Sequence, residues 1–95
     1  MIEISRPVQD RLAANGLVME CTCTAAPDQY ELFKDGAPAG YIRMRWSHFT
    51  VDFPEAAEEC LYDGSADGFG CFTDSEREAC LLMAIGLIED RLTKA

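Results

Sequence analysis

The segment from Gly40 to Phe53 constrains the fold of this chain more than any other part of the sequence. Apolar and polar residues alternate along both of its halves, which is typical of strands that bury one face of an antiparallel sheet. The apolar positions are Ile42, Met44, Trp46, Phe49, Val51 and Phe53. A two-residue turn at positions 47–48 predicts a hairpin that pairs Trp46 with Phe49. All six apolar side chains then point into one core.

The segment from Gln29 to Lys34 is predicted to be the neighbouring strand, connected to the hairpin by a turn-rich stretch at 35–39. Facing Leu32 with Ile42 keeps the apolar residues of both strands on the same side. The other facing pairs in this register are Tyr30 with Met44, Glu31 with Arg43, and Phe33 with Tyr41. Because opposite charges and aromatic pairs at facing positions stabilise a sheet, the two hairpins support each other.

The remaining segments complete an α+β fold. They are a helix that starts at Arg6 behind a Ser5 cap, a strand from Leu17 to Thr24, a short strand from Cys60 to Tyr62, and a helix from Thr73 to about Thr93. We therefore expect a single domain over residues 1–95. It has a short N-terminal helix, a mostly antiparallel meander of four or five strands, and a long C-terminal helix packed on one sheet face.

The C-terminal helix carries two apolar groups. Thr73 and Glu76 have the spacing of a capping box at its start. The stripe that should cover the sheet consists of Leu81, Ile85, Ile88 and Leu92, widened by Leu82 and Ala84. The second group, Cys80, Met83 and Leu87, projects to nearly the opposite side. It needs a cover, which is either the N-terminal helix or a second copy of the chain in a homodimer.

The charge balance excludes several classes of function. With 17 acidic and 8 basic residues the net charge is −9, which argues against direct binding to nucleic acid or to anionic membranes. No apolar run is long enough to span a bilayer, and the first residues do not resemble a secretory signal. The sequence therefore predicts a cytoplasmic protein whose partner is another protein, of basic charge.

The chain has five cysteines, and an odd number without a secretory signal indicates reduced thiols. Cys21 and Cys23 continue the apolar stripe of Leu17 and Met19, so both are expected to be core residues rather than metal ligands. A zinc site would require a second cysteine pair, which the sequence lacks.

The outer sheet face is the candidate binding surface. Its proposed partner-binding residues are Phe33, Tyr41, Arg43, Arg45 and His48. Aromatic residues and arginine dominate the energetics of many protein interfaces. In the alternative, the face has no binding role and the charge of Arg43 is neutralised by Glu31 and Asp52, which lie opposite it.

The segment from Asp63 to Asp74 resembles an EF-hand loop in spacing. The oxygen ligands would be Asp63, Ser65, Asp67 and Asp74, with Gly68 at the bend. The pattern departs from that loop because Asp stands at position 12 and a strand precedes it. An acidic loop without a metal is the competing interpretation.

Three functions follow from these observations. We expect a non-enzymatic protein-binding module, either an adaptor or an inhibitor of a basic nucleic-acid-handling protein, of the kind encoded by phages. A Ca²⁺-responsive domain that uses the Asp63–Asp74 loop is the first alternative. A small cysteine-dependent enzyme is the second, with no catalytic residue identified, because His48 has no evident nucleophile nearby.

Overall fold

The computed structural model describes residues 4–21, 28–69 and 71–94. The elements are α1 (Arg6–Ala14), β1 (Leu17–Cys21), β2 (Gln29–Lys34), β3 (Ala37–Arg45), β4 (His48–Phe53), β5 (Glu59–Ser65) and α2 (Asp74–Lys94). The strands form one sheet in the order β1-β2-β3-β4-β5, and all neighbours are antiparallel. The predicted α+β meander with a helix at each end is confirmed.

The long helix α2 packs against one face of the sheet. Its buried residues are Leu81, Ala84, Ile85 and Ile88, as the apolar stripe predicts. They join a core that includes Val8 and Leu12 of α1 and the inner residues of the central strands. The helix approaches the sheet closely at Gly40, where an added Cβ would lie 2.4 Å from Cδ1 of Ile88. Glycine at this position lets the helix approach β3.

The β3–β4 hairpin differs in register from the prediction. The turn consists of Trp46 and Ser47, whose φ angles are +55° and +62°, and Met44 pairs with Phe49. Positive φ at both turn residues gives the twist that matches the flanking strands. Because the pairing moves by two residues, the side chains that remain in the two strands keep their predicted faces. Trp46 is in the turn rather than in the strand, so its predicted place in the core is wrong.

The β2–β3 pairing is shifted in the same way. Asp35 and Gly36 form a tight turn with φ angles of +54° and +80°, and β3 begins directly after it. Residues 37–39, assigned to a connector from sequence, are therefore part of the strand. The observed pairs are Tyr30 with Ile42, Glu31 with Tyr41, Leu32 with Gly40, and Phe33 with Pro38 after a bulge. The predicted pairing of Glu31 with Arg43 is wrong.

Three further expectations differ from the structure. Ser5 precedes α1, but its side chain makes no capping hydrogen bond. Cys21, the last described residue of β1, is exposed rather than buried, and the rest of the predicted strand, with Cys23, lies outside the described residues. The segment predicted to be a loop from Asp63 onward begins as strand, because β5 extends to Ser65.

A buried carboxylate connects the sheet to the start of α2. Asp28 is fully buried, just before β2. Its side chain accepts hydrogen bonds from the Tyr30 hydroxyl at 2.6 Å, the Phe72 amide at 2.7 Å and the Arg77 guanidinium at 3.3 Å. Burial, followed by the bond to Asp28, raises the pKa of Tyr30. Burial acts to lower the pKa of Arg77, but its bonds to carboxylates outweigh this and raise it.

We expect Asp28→Ala to lower the free energy of unfolding by about 3–5 kcal/mol, because it leaves a partly buried arginine and a buried amide without their acceptor. Urea denaturation followed by circular dichroism measures the loss. The matched control is Asp90→Ala at an exposed position of α2. Equal effects of the two substitutions would contradict this role of Asp28.

We expect Gly40→Ala to destabilise the protein by about 1–3 kcal/mol, because the added methyl group overlaps Ile88. Ile88→Val removes the Cδ1 atom and alone costs about 0.5–1.5 kcal/mol. The double variant should therefore be more stable than the sum of the two single effects predicts. Strict additivity in urea denaturation would show that the close helix–sheet contact does not matter.

Candidate protein-binding surface

Both helices pack on the inner face of the sheet, so the outer face is the side to search for a site. The structure separates the five predicted partner-binding residues into two groups on this face. Phe33 and Tyr41 lie toward the β2–β3 turn. Arg43, Arg45 and His48 lie toward the β3–β4 turn, where Arg45 pairs with His48.

The group near the β2–β3 turn offers little to a partner. Tyr41 is only 8% exposed, and Phe33 is half-buried. They border a small cleft of about 70 Å³ together with Pro38 and Pro54. Burial raises the pKa of the Tyr41 hydroxyl. We therefore regard Tyr41 as a structural residue of the outer face rather than as a contact residue.

Three acidic residues of the outer face lie in the same row as Tyr41. The row across the strands runs Glu20, Glu31, Tyr41 and Asp52. Two carboxylates at facing positions are unfavourable in an isolated sheet. This half of the face is therefore negative. The row of Arg43 carries one acidic residue, Asp63, which pairs with Thr50 and contacts His48.

The other half of the face carries a cationic groove. Its lining residues are Arg43, Arg45, Trp46, His48 and Thr50, and its volume is about 360 Å³. Arg43 is flanked by Gln29 on β2 and Thr50 on β4, so neither neighbour neutralises it. Within residues 4–21, 28–69 and 71–94, neither Arg43 nor Arg45 makes an ion pair. His48 contacts the Asp63 carboxylate through Nε2.

Two exposed aromatic rings adjoin the groove. Trp46 is 63% exposed and Phe69 is 64% exposed. Their ring centroids are 5.2 Å apart at an interplanar angle of 75°, an edge-to-face contact. The Arg45 guanidinium lies 5.7 Å from the Trp46 ring centroid. We name the surface formed by Arg43, Arg45, Trp46, His48 and Phe69 the Trp46 corner.

Sequence reasoning found the cationic half of this corner and missed its aromatic half. Trp46 was assigned to the core because it continues the alternation of β3. Phe69 lies in a glycine-rich segment and belongs to no apolar period. The available signal for Phe69 was that a large aromatic residue belongs to no apolar stripe of the predicted core, which is typical of an exposed contact residue.

The predicted dimer seam is partly exposed. Cys80 and Leu87 are half-buried, and Met83 is 40% exposed. Arg11 of α1 forms an ion pair with Glu89 of α2 at 2.6 Å. Glu89 is about 160° around the helix axis from Leu87, so α1 contacts the side of α2 that is opposite to Leu87. Leu87 instead borders an open groove beside β5. The homodimer stays a prediction.

The residues of the predicted calcium loop do not converge. Asp63 and Ser65 lie on β5, and Asp74 is the first residue of α2, where its carboxylate accepts a hydrogen bond from Arg77. The Asp67 amide is bound by Glu76. In the described part of the chain, no group of three or more His, Cys, Asp and Glu residues is arranged to hold a metal ion. The calcium hypothesis stays a prediction that no observed contact favours.

The described cysteines of β5, α2 and the segment between them differ in exposure. Cys60 and Cys71 are exposed, whereas Cys80 is half-buried on α2. Burial raises the pKa of the Cys80 thiol, and the nearby carboxylates of Glu76 and Asp67 raise it further. A raised pKa reduces the thiolate fraction, which is the nucleophilic form.

We therefore expect Cys80 to react with iodoacetamide at pH 7.5 at least about tenfold more slowly than Cys60 or Cys71. A time course analysed by peptide mass spectrometry measures the three rates. The same reaction in 6 M guanidinium chloride is the control, in which the rates should become similar. Faster alkylation of Cys80 in the folded protein would contradict the effect of its environment.

Comparisons with protein-family models, with curated proteins and with solved structures find no match to this chain. In the part of the chain that the structure describes, no helix has both the length and the apolar character needed to cross a membrane.

Proposed function

We propose that this protein is a non-enzymatic protein-binding module and that the Trp46 corner is its contact surface. The observation that carries the proposal is the exposed pair of Trp46 and Phe69 beside two arginines that make no ion pair within the described part of the chain. Tryptophan and arginine are the residue types most enriched at the energetic centres of protein interfaces.

The apolar part of the corner is large enough to contribute useful affinity. Both rings expose close to two thirds of their surface. Covering that area would contribute on the order of 5 kcal/mol before the entropic cost of association is subtracted. The edge-to-face contact holds each ring in place, so less side-chain entropy is lost when a partner binds.

The positive charge of the groove indicates which chemical groups the bound segment of the partner should have. Arg43 and Arg45 make no ion pair with any described residue, although the chain has 17 acidic residues. Two arginines spaced two residues apart on one strand are suited to carboxylates, which the guanidinium group binds in a bidentate manner. We therefore infer that the partner presents an apolar side chain next to acidic residues.

The remaining surface is strongly acidic and favours a partner of net positive charge. A basic protein that displays one acidic and apolar segment satisfies both requirements. This agrees with an adaptor or with an inhibitor of a basic nucleic-acid-handling protein. The five cysteines are compatible with a reducing compartment, so we place the interaction in the cytoplasm.

The test is affinity capture from the native host, followed by calorimetry with the captured protein. Trp46→Ala should weaken the affinity by about 30-fold or more, since central interface residues contribute at least about 2 kcal/mol. Arg45→Ala should weaken it less and should reduce its dependence on salt. Both residues are exposed, so the variants should remain folded by circular dichroism.

Val18→Ala is the matched control, because Val18 is an exposed apolar residue on the same sheet face but on the edge strand β1. It should bind as the unmodified protein does. Unchanged affinity of Trp46→Ala would show that the corner is not the contact surface. Loss of binding in the Val18→Ala variant alone would point to the β1 edge of the sheet instead.

A further inference from the structure

The segment that carries Phe69 is held by one carboxylate of α2. Glu76 accepts three backbone hydrogen bonds, each 2.8 Å long, from the amides of Asp67, Gly68 and Thr73. The bond from Thr73 belongs to the capping box at the start of the helix, which the Thr73 hydroxyl completes by accepting from the Glu76 amide. The bonds from Asp67 and Gly68 are additional, because a capping box does not reach residues eight or nine positions upstream.

We propose that Glu76 is a positioning residue for the Trp46 corner, in which it holds Phe69 against the indole ring of Trp46. As a statement about binding, this inference rests on the proposed function. As a statement about structure, it can be tested on the isolated protein.

The opposite side of the segment is bound to the β3–β4 turn. The Ser47 amide donates to the Phe69 carbonyl at 2.9 Å, and the Ala66 amide donates to the Ser47 carbonyl at 3.0 Å. Ser47 follows Trp46 directly in the turn. Residues 66–69 therefore bridge α2 and the hairpin, and Glu76 provides the contacts on the helix side.

The backbone of this bridge has little freedom to adopt another path. Gly68 is buried, and a Cβ at this position would lie 1.8 Å from the carbonyl oxygen of Cys71. Farther along, the Phe72 amide is bound to the buried Asp28. The position of Phe69 therefore depends on the bond from the Ser47 amide to its own carbonyl and on the two bonds by which Glu76 holds residues 67 and 68.

The electrostatics of Glu76 agree with this role. Partial burial acts to raise the pKa of its carboxyl group, but the hydrogen bonds from the three amides outweigh burial and lower the pKa. The side chain is therefore ionised at neutral pH. Hydrogen bonds to a charged acceptor are stronger than those between neutral groups.

Trp46 is the only tryptophan of the chain, so its fluorescence reports directly on the corner. In Glu76→Ala, we expect acrylamide to quench the fluorescence of Trp46 as strongly as it does in Phe69→Ala. The first change releases the Phe69 ring from the indole and the second deletes it, so both expose the side of the indole that the ring shields. We also expect hydrogen exchange at the amides of Asp67 and Gly68 to become about tenfold faster or more.

Two variants separate this role from a general weakening of the helix. Thr73→Ala removes the hydroxyl that caps the Glu76 amide but leaves the bonds to Asp67 and Gly68 intact. Glu78→Ala removes an exposed charge from the same helical turn. Both should leave the quenching of Trp46 unchanged. If Thr73→Ala changes it as much as Glu76→Ala does, the effect is fraying of the helix end and the inference is overturned.

The double variant Glu76→Ala/Phe69→Ala completes the test. Once Phe69 is absent, removal of Glu76 should have no further effect on Trp46, since coupled residues give non-additive effects. An additive result, or unchanged fluorescence in Glu76→Ala, overturns the inference. If fluorescence responds as expected but partner capture does not, the positioning role stands and the proposed binding surface is wrong.

Discussion

The buried Asp28 carboxylate is the interaction on which the arrangement of this protein depends. A charge without solvent is tolerated only when hydrogen bonds replace its hydration, and Tyr30, Phe72 and Arg77 supply them. These donors belong to β2, to the segment before α2 and to α2 itself. One carboxylate thus connects the sheet to the helix that covers it. The carbonyl group of Asp28 also accepts from the Met44 amide, which extends the connection to β3.

The Trp46 corner lies at the β3–β4 turn, where Ser47 is hydrogen-bonded to Ala66 and Phe69. Its two rings stay exposed because both helices pack on the inner face of the sheet. Trp46 is presented by a turn with positive φ, and Phe69 by a segment bound to Glu76 on one side and to Ser47 on the other. Rigid hydrogen-bonded support for exposed aromatic side chains is what a preorganised contact surface requires.

The charge pattern of the outer face follows from strand register. Had Glu31 faced Arg43, as the alternation of the sequence suggests, the arginines would be neutralised within the sheet. In the observed register Glu31 and Asp52 flank Tyr41 instead, and Arg43 lies between Gln29 and Thr50. Glu20, Glu31 and Asp52 therefore share a row with Tyr41 rather than with the arginines, and Asp63 in the Arg43 row contacts His48, so that a strongly acidic chain still presents a cationic groove.

The amino-acid sequence is enough to predict the fold class, the order of the elements, the faces of the central strands and the capping box at Thr73. These depend on local periodicity and on side chains within a few residues of each other. The strand register depends on the turns, and a shift by two residues leaves the same alternation of apolar and polar residues, so the alternation does not fix the register. Tertiary contacts place Trp46 outside the core, bury Tyr41 and bring Phe69 to Trp46. Each of these results from contacts between segments distant in sequence, which no local pattern records.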